Sequence, residues 1–252
     1  MDTDHVDWLG RHIEDVGAPV VHLFGGPYVT VGTERREVPE GSKLLLAFVA
    51  LRRRRVERRK AAGTLWPCGD EGRAAGNLRS ALWRLRRAGI DVLAADKWSL
   101  ALSADVLVDL HVMDQWVTRL IDGTASGDDL AVSPSWADAL DLLPGWYDDW
   151  VVLEQERWDQ LRLYALEAAA EALLCCGQHM LALEASLVAA RSELFRESAH
   201  RVIIRVYLAE GNWGAAMQHY QDYQRILRRE LNLAPTTAMD ELMHPLITSQ
   251  TR

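Results

Sequence analysis

The 252 residues, 49% apolar and 25% charged, suffice for one large or two ordinary domains and exclude a disordered chain. The formal charge of −8 is unevenly spread: residues 20–104 carry sixteen Lys and Arg against eight acids, a net +8, while residues 1–19 carry −4 and residues 105–252 carry −12. A basic module joined to an acidic one is the asymmetry expected when one part of a chain meets phosphates and the other does not. The longest apolar run, Leu44 to Leu51, is too short to span a bilayer. MDTDHVDWLG is acidic where a secretory signal needs cations and an apolar centre. A cytoplasmic protein without a membrane partner is expected. Cys68, Cys175 and Cys176 provide neither a disulfide framework nor a C-x-x-C pair and read as structural thiols.

In chain order, residues 1–19 form an acidic extension in which Val6, Leu9, Ile13 and Val16 mark a short amphipathic helix. Val20–Phe24, Tyr28–Val31 and Arg35–Val38 read as three strands of a small antiparallel sheet, broken by Gly25-Gly26-Pro27 and Gly32-Thr33. Lys43 to Leu51 is apolar on nearly all sides, so a helix there must be deeply buried. Arg52–Arg55 and Arg58–Lys60 follow, with Val56 as the buried point between them and a second helix from Glu57 to Leu65. These cations either add attraction to a phosphate backbone or are a solvated helix junction.

The third helix, from Arg73 to Gly89, combines a packing face with a cationic one. Leu78, Leu82 and Leu85 recur at helical spacing beside Ala75 and Ala81. The remaining positions form an edge of Asn77, Ser80, Arg84 and Arg87 and a flank of Arg79, Trp83 and Arg86. Arg and Asn reach base edges bidentately, and Arg and Ser hold phosphates, so this composition suits a helix in the major groove. Ile90–Ala94 and Trp98–Leu102 then make a hairpin with Lys97 at its tip, completing a winged-helix domain over residues 20–104.

Residues 105–133 hold a connecting helix with Val112, Trp116, Leu120 and Ile121 on one side, and a flexible linker over Ala125–Ser133. In residues 134–252, Leu173, Gly177, Ala182 and Ser186 recur as Tyr207, Gly211, Ala216 and Tyr220, each displaced by 34 positions, the period of a tetratricopeptide repeat. Helical patterns at Val151–Cys176, His179–Ser192, Ser198–Glu210 and Trp213–Leu231 support an antiparallel stack, with a last helix from Pro235 to Ile247. The fold class is mainly α with a small β component. Trp66, Trp146, Trp150, Trp158 and Tyr164 read as core and interface aromatics.

No nucleotide-binding, hydrolase or zinc-protease motif is present, and the eight His residues show no metal-ligand spacing. Neither catalysis, a metal nor a cofactor is expected.

The order VHLFGGPYVTV, LLLAFVAL, TLW, NLRSALWRLRRAG and a closing hairpin resembles the OmpR-type winged helix at the front of the Streptomyces antibiotic regulatory protein (SARP) family. DALDLLPGWYDDW, EQERWDQLRLYALEAAAEALLCCGQHMLALE and AEGNWGAAMQHYQDYQRILRRELNLAP resemble its second module, the bacterial transcriptional activator domain. The resemblance covers residues 20–246 and implies a transcription activator with double-stranded promoter DNA, RNA polymerase and a second copy of itself as partners. It gives base-facing roles to Ser80 and Arg84, with Arg84 as first choice. Asn77 shares their edge, Arg79, Trp83, Arg86 and Arg87 lie near enough to the flanks to hold phosphates, with Arg87 an alternative reader of a base, and Lys97 reaches the minor groove or backbone. The Trp66–Gly72 loop takes the position that faces polymerase, through Pro67, Asp70 and Glu71. Glu57 in place of a Ser or Thr cap, Gly76 in the third helix and Lys97-Trp98 in place of Gly-Tyr depart from the family pattern. The alternative is a repeat-type protein-interaction adaptor that binds no DNA.

Overall fold

The computed structural model describes residues 18–131 and 140–249, with side chains through His244. The helix expected in the N-terminal extension lies outside the described residues. Contacts divide the chain into two compact units, one of residues through Gln115 with Leu140–Trp158, the other of Trp116–Ala139 with Asp159 onward.

In the first unit β1 (Val20–His22), β2 (Tyr28–Val31) and β3 (Glu34–Glu37) are antiparallel, with Val21 opposite Val29 and Val29 opposite Arg36. The sheet has a fourth strand that the sequence did not signal: β7 (Leu107–Val108) runs parallel to β1, giving the order β3-β2-β1-β7. Two residues are too few to show a period. The next residue, Asp109, is buried and accepts the backbone N–H groups of Leu23, Phe24 and Leu110 at 2.7–3.1 Å, so one carboxyl satisfies the chain leaving β1 and the start of the following helix. Burial pushes this carboxyl up to about 7, against the pull of those donors.

Helix α1 (Glu40–Ala50) is enclosed along Leu45–Ala50, as its uniform apolarity requires. β4 (Val56–Glu57) is the unexpected middle of the basic run, where Val56 pairs with Leu100. It leads to α2 (Arg58–Leu65) and α3 (Glu71–Arg87), and then to the hairpin of β5 (Leu93–Ala95) and β6 (Ser99–Leu102). The wing is therefore a three-stranded sheet in the order β4-β6-β5. Glu57 stands at the N-cap of α2 and makes no side-chain cap bond.

In the second unit a short helix lies within the stretch expected as a linker. Ser126 and Asp129 form a reciprocal capping box that starts α5 (Gly127–Leu130). Asp129 also takes Arg119 at 2.6 Å, and its backbone oxygen accepts the Trp116 indole N–H. Arg119 and Trp116 lie on α4 (Asp109–Ile121). A Ser/Asp-rich stretch thus folds back through its own cap, and the sequence signal was the S-x-x-D spacing. Residues 132 and 133 lie outside the described residues.

The long helices are α6 (Asp149–Cys175), α7 (His179–Ser192), α8 (Glu197–Ala209), α9 (Trp213–Leu231) and α10 (Thr237–Ser249). The 34-residue repeat has a backbone cause. Gly177 and Gly211 adopt φ of 73° and 71°, a left-handed conformation that disfavours side chains, and each closes a Schellman motif. Gln178 N–H reaches Leu173 O at 2.9 Å, and Asn212 N–H reaches Tyr207 O at 2.8 Å. Leu173 and Tyr207 are the repeat partners identified in the sequence. Ala182 and Ala216, also partners, are buried, as close helix approach requires. Tyr220, Tyr223, Leu227, Ile204, Met239 and Met243 close one core of the stack.

The three cysteines are exposed, which corrects their reading as structural thiols. Trp158 is buried, Trp66, Trp146 and Trp150 are half-buried, and Tyr164 is exposed beneath the Arg196 guanidinium.

Candidate nucleic-acid interface

Helix α3 is built to hold both of its faces. Asp70 caps it by accepting Arg73 N–H at 2.7 Å, Glu71 lies in its positive first turn, and Arg84, Arg86 and Arg87 complement the negative end. The end is another Schellman motif, with Ile90 N–H on Leu85 O at 3.0 Å. Ala74, Leu78, Ala81, Leu82 and Leu85 are buried, Ala74 being the small core contact where the sequence suggested Ala75. Ser42 Oγ donates to Ala81 O at 2.9 Å and joins α1 to the packed side of α3.

The opposite face presents Arg73, Arg79, Ser80, Trp83, Arg86 and Arg87, all exposed. Among the described residues, no carboxylate pairs with Arg73, Arg79, Arg84, Arg86 or Arg87. Trp83 is 58% exposed, and the Arg87 guanidinium sits 5.1 Å from its ring centroid. Asn77 and Arg84 lie half-buried on the other edge. Arg84 differs from its neighbours: its Nη2 donates to Gly41 O at 2.9 Å, and its Nε is buried without a hydrogen-bond partner.

A groove of about 450 Å³ brings Arg79 and Lys97 together with Arg58 and Arg59 above the apolar floor of Ala74 and Leu78. The sequence separated these four cations into three clusters. Their convergence comes from packing α2 on α3 beside the wing, which no local pattern encodes. At the wing tip Asp96 accepts the backbone N–H groups of Trp98 and Ser99, both at 2.7 Å, and Ser99 Oγ. These bonds, with Arg55 at 3.4 Å, hold its carboxyl down at about 2. They close the turn and leave Lys97 over the ring of an exposed Trp98.

The arginines before α2 and in its first turn are mostly committed internally. Arg52 stacks on Phe48, Arg53 meets Asp114 at 2.6 Å, Arg58 donates to Asp96 O at 3.2 Å, and Arg59 meets Glu71 at 2.8 Å. Of the loop residues Pro67, Asp70 and Glu71, Pro67 is exposed, Asp70 is the α3 cap and Glu71 is the Arg59 partner. Among the described residues, no group of His, Cys, Asp or Glu is placed to hold a metal, and no helix is long and apolar enough to cross a membrane.

Sheet, three helices and wing, followed by a repeat stack, define a winged helix joined to a tetratricopeptide-like module. Comparison with family models matches residues 108–246 to the bacterial transcriptional activator domain, and the chain belongs to that family. A solved structure of Mycobacterium tuberculosis EmbR, described as in complex with a low-affinity phosphopeptide, has the same fold, with a TM-score of 0.72 and 19% identity. The match covers 92% of this chain and 65% of that one, so this chain spans about two thirds of the length of its structural relative. No curated protein matches the chain.

Proposed function

We propose that this protein is a DNA-binding transcriptional activator that places α3 in the major groove of promoter DNA and recruits RNA polymerase without turning over a substrate. The observation that carries this reading is the helix itself, whose leucine face is buried while Arg73, Arg79, Arg86 and Arg87 stand exposed without carboxylate partners among the described residues. Unpaired cations on a rigid helix suit phosphates and base edges, and their neutralisation by DNA releases counterions. Arg79 and Lys97, which share one groove, hold the backbone, Asn77 and Arg86 flank the contact, and residues 20–104 act as the DNA-binding domain. Residues 134–252 supply the contacts of a homodimer, and the loop carrying Pro67, Asp70 and Glu71 faces polymerase.

The test is capture of genomic fragments by the purified full chain, followed by footprinting of the enriched promoter at several salt concentrations. A discrete footprint that weakens steeply with salt supports the reading. Absence of enrichment over bulk DNA refutes it and favours the adaptor role.

A further inference from the structure

Arg84 and Arg87 lie within one turn on α3, carry the same charge and occupy different environments. Arg84 is bonded to the backbone of Gly41 in the first turn of α1. The approach is close enough that a Cβ on Gly41 would lie 2.8 Å from Nη2 and 2.9 Å from Cζ. Its partnerless Nε is enclosed as well, so part of the guanidinium has already given up water. A side chain so held has one donor edge committed before DNA arrives, and bidentate reading of guanine needs two donors presented together.

Arg87 meets that requirement. It is exposed, has no carboxylate or carbonyl partner among the described residues, and its guanidinium is held over the Trp83 ring. Ser80, Trp83 and Arg87, at spacings of three and four, follow one line down the exposed face. Packing against an indole removes rotamer freedom without consuming a hydrogen-bond donor, which presents the fork ready to bind. The indole edge beside it offers an apolar surface of the kind that meets a thymine methyl.

We infer that Ser80, Trp83 and Arg87 form the strip that reads sequence, with Arg87 on a guanine and Trp83 against a neighbouring thymine. Arg84 is instead a positioning residue that fixes α3 to the start of α1. The assignment rests on the DNA-binding reading above and specifies how that helix discriminates.

The experiment selects bound duplexes from a random library with the full chain, as wild type and as Arg87→Ala, Trp83→Ala, Arg84→Ala, Arg84→Lys and Gly41→Ala. Melting temperature and salt dependence are measured for each protein. Arg87→Ala loses the guanine preference at one position and weakens binding to the wild-type site roughly ten-fold or more, with an unchanged melting temperature. Trp83→Ala loses the adjacent thymine preference. Arg84→Ala melts earlier and weakens binding to all duplexes alike, with the selected motif and the salt slope retained. Arg84→Lys, which keeps a donor for Gly41 O, recovers part of that loss, and Gly41→Ala, which displaces the guanidinium, reproduces it. The assignment is overturned if Arg84→Ala erases a base preference at unchanged melting temperature, or if Arg87→Ala leaves the motif intact. If the wild type selects no motif, the DNA-binding reading fails first and takes the assignment with it.

Discussion

The arginines of α3 and those of the repeat stack differ in what surrounds them. In the second unit Arg119, Arg162, Arg196, Arg201, Arg205, Arg225 and Arg229 each meet a carboxylate within the same unit. On α3, none of the five arginines has such a partner among the described residues. One residue type therefore serves two purposes, pairing within and between helices where acids are supplied and remaining available for an external anion where they are withheld. The −12 of residues 105–252 and the +8 of residues 20–104 are the composition-level trace of this division.

The largest expected effect of breaking the comparison is on the paired side. Arg196 and Glu167 meet at 2.7 Å with side chains only 10% and 13% exposed, and Ser198 donates to the same carboxylate. Glu167→Ala leaves the largely buried Arg196 with only its longer carboxylate contact, to Glu193 at 3.4 Å, so it should cost about 3 kcal/mol, read as a lower urea midpoint. On the unpaired side, Arg87→Ala should leave that midpoint unchanged and cost about 1–3 kcal/mol of specific DNA affinity. Smaller still, Arg79→Ala or Lys97→Ala should weaken all sequences alike and reduce the slope of log affinity against log salt by about one, measured by fluorescence titration. At the lower end, Glu230→Ala, which frees the exposed Arg229, should move stability by no more than about 0.5 kcal/mol.

Acid titration sharpens the same contrast. Hydrogen bonds from Arg119 hold the Asp129 carboxyl at about 2, below its ordinary 3.8. Because the folded state releases this proton more readily than the unfolded chain, the stabilisation is fully present above about 3.8 and is lost as pH falls through about 2. Asp129→Asn should therefore flatten melting temperature against pH over that window, while α3 arginine variants should leave the acid limb unchanged.

How much of this was legible depended on the range of each interaction. α7 and α9 follow the boundaries expected from sequence, because apolar periodicity and the flanking Gly177 and Gly211 are local signals. The buried line of Leu78, Leu82 and Leu85 was equally readable, and so was the exposed cationic face behind it. The capping box at Ser126 was also local but masked by a composition that otherwise suits a linker. What escaped was non-local. Arg53 finds Asp114 across 61 positions, and Arg84 finds Gly41 across 43. Position on a helical wheel places Arg84 and Arg87 near one another, and only the packing of α1 separates their environments.

Salt titration of duplex binding tests most directly whether the exposed α3 arginines, Arg73, Arg79, Arg86 and Arg87, are held free for nucleic acid. The full chain is compared with a variant carrying Gln at positions 73, 79, 86 and 87, on the promoter captured by the wild type. The account expects a steep wild-type slope of log affinity against log salt, reduced in the variant by roughly 0.9 for each phosphate contact removed, with both proteins melting alike. A shallow wild-type slope, or one that the four substitutions leave unaltered, would contradict it.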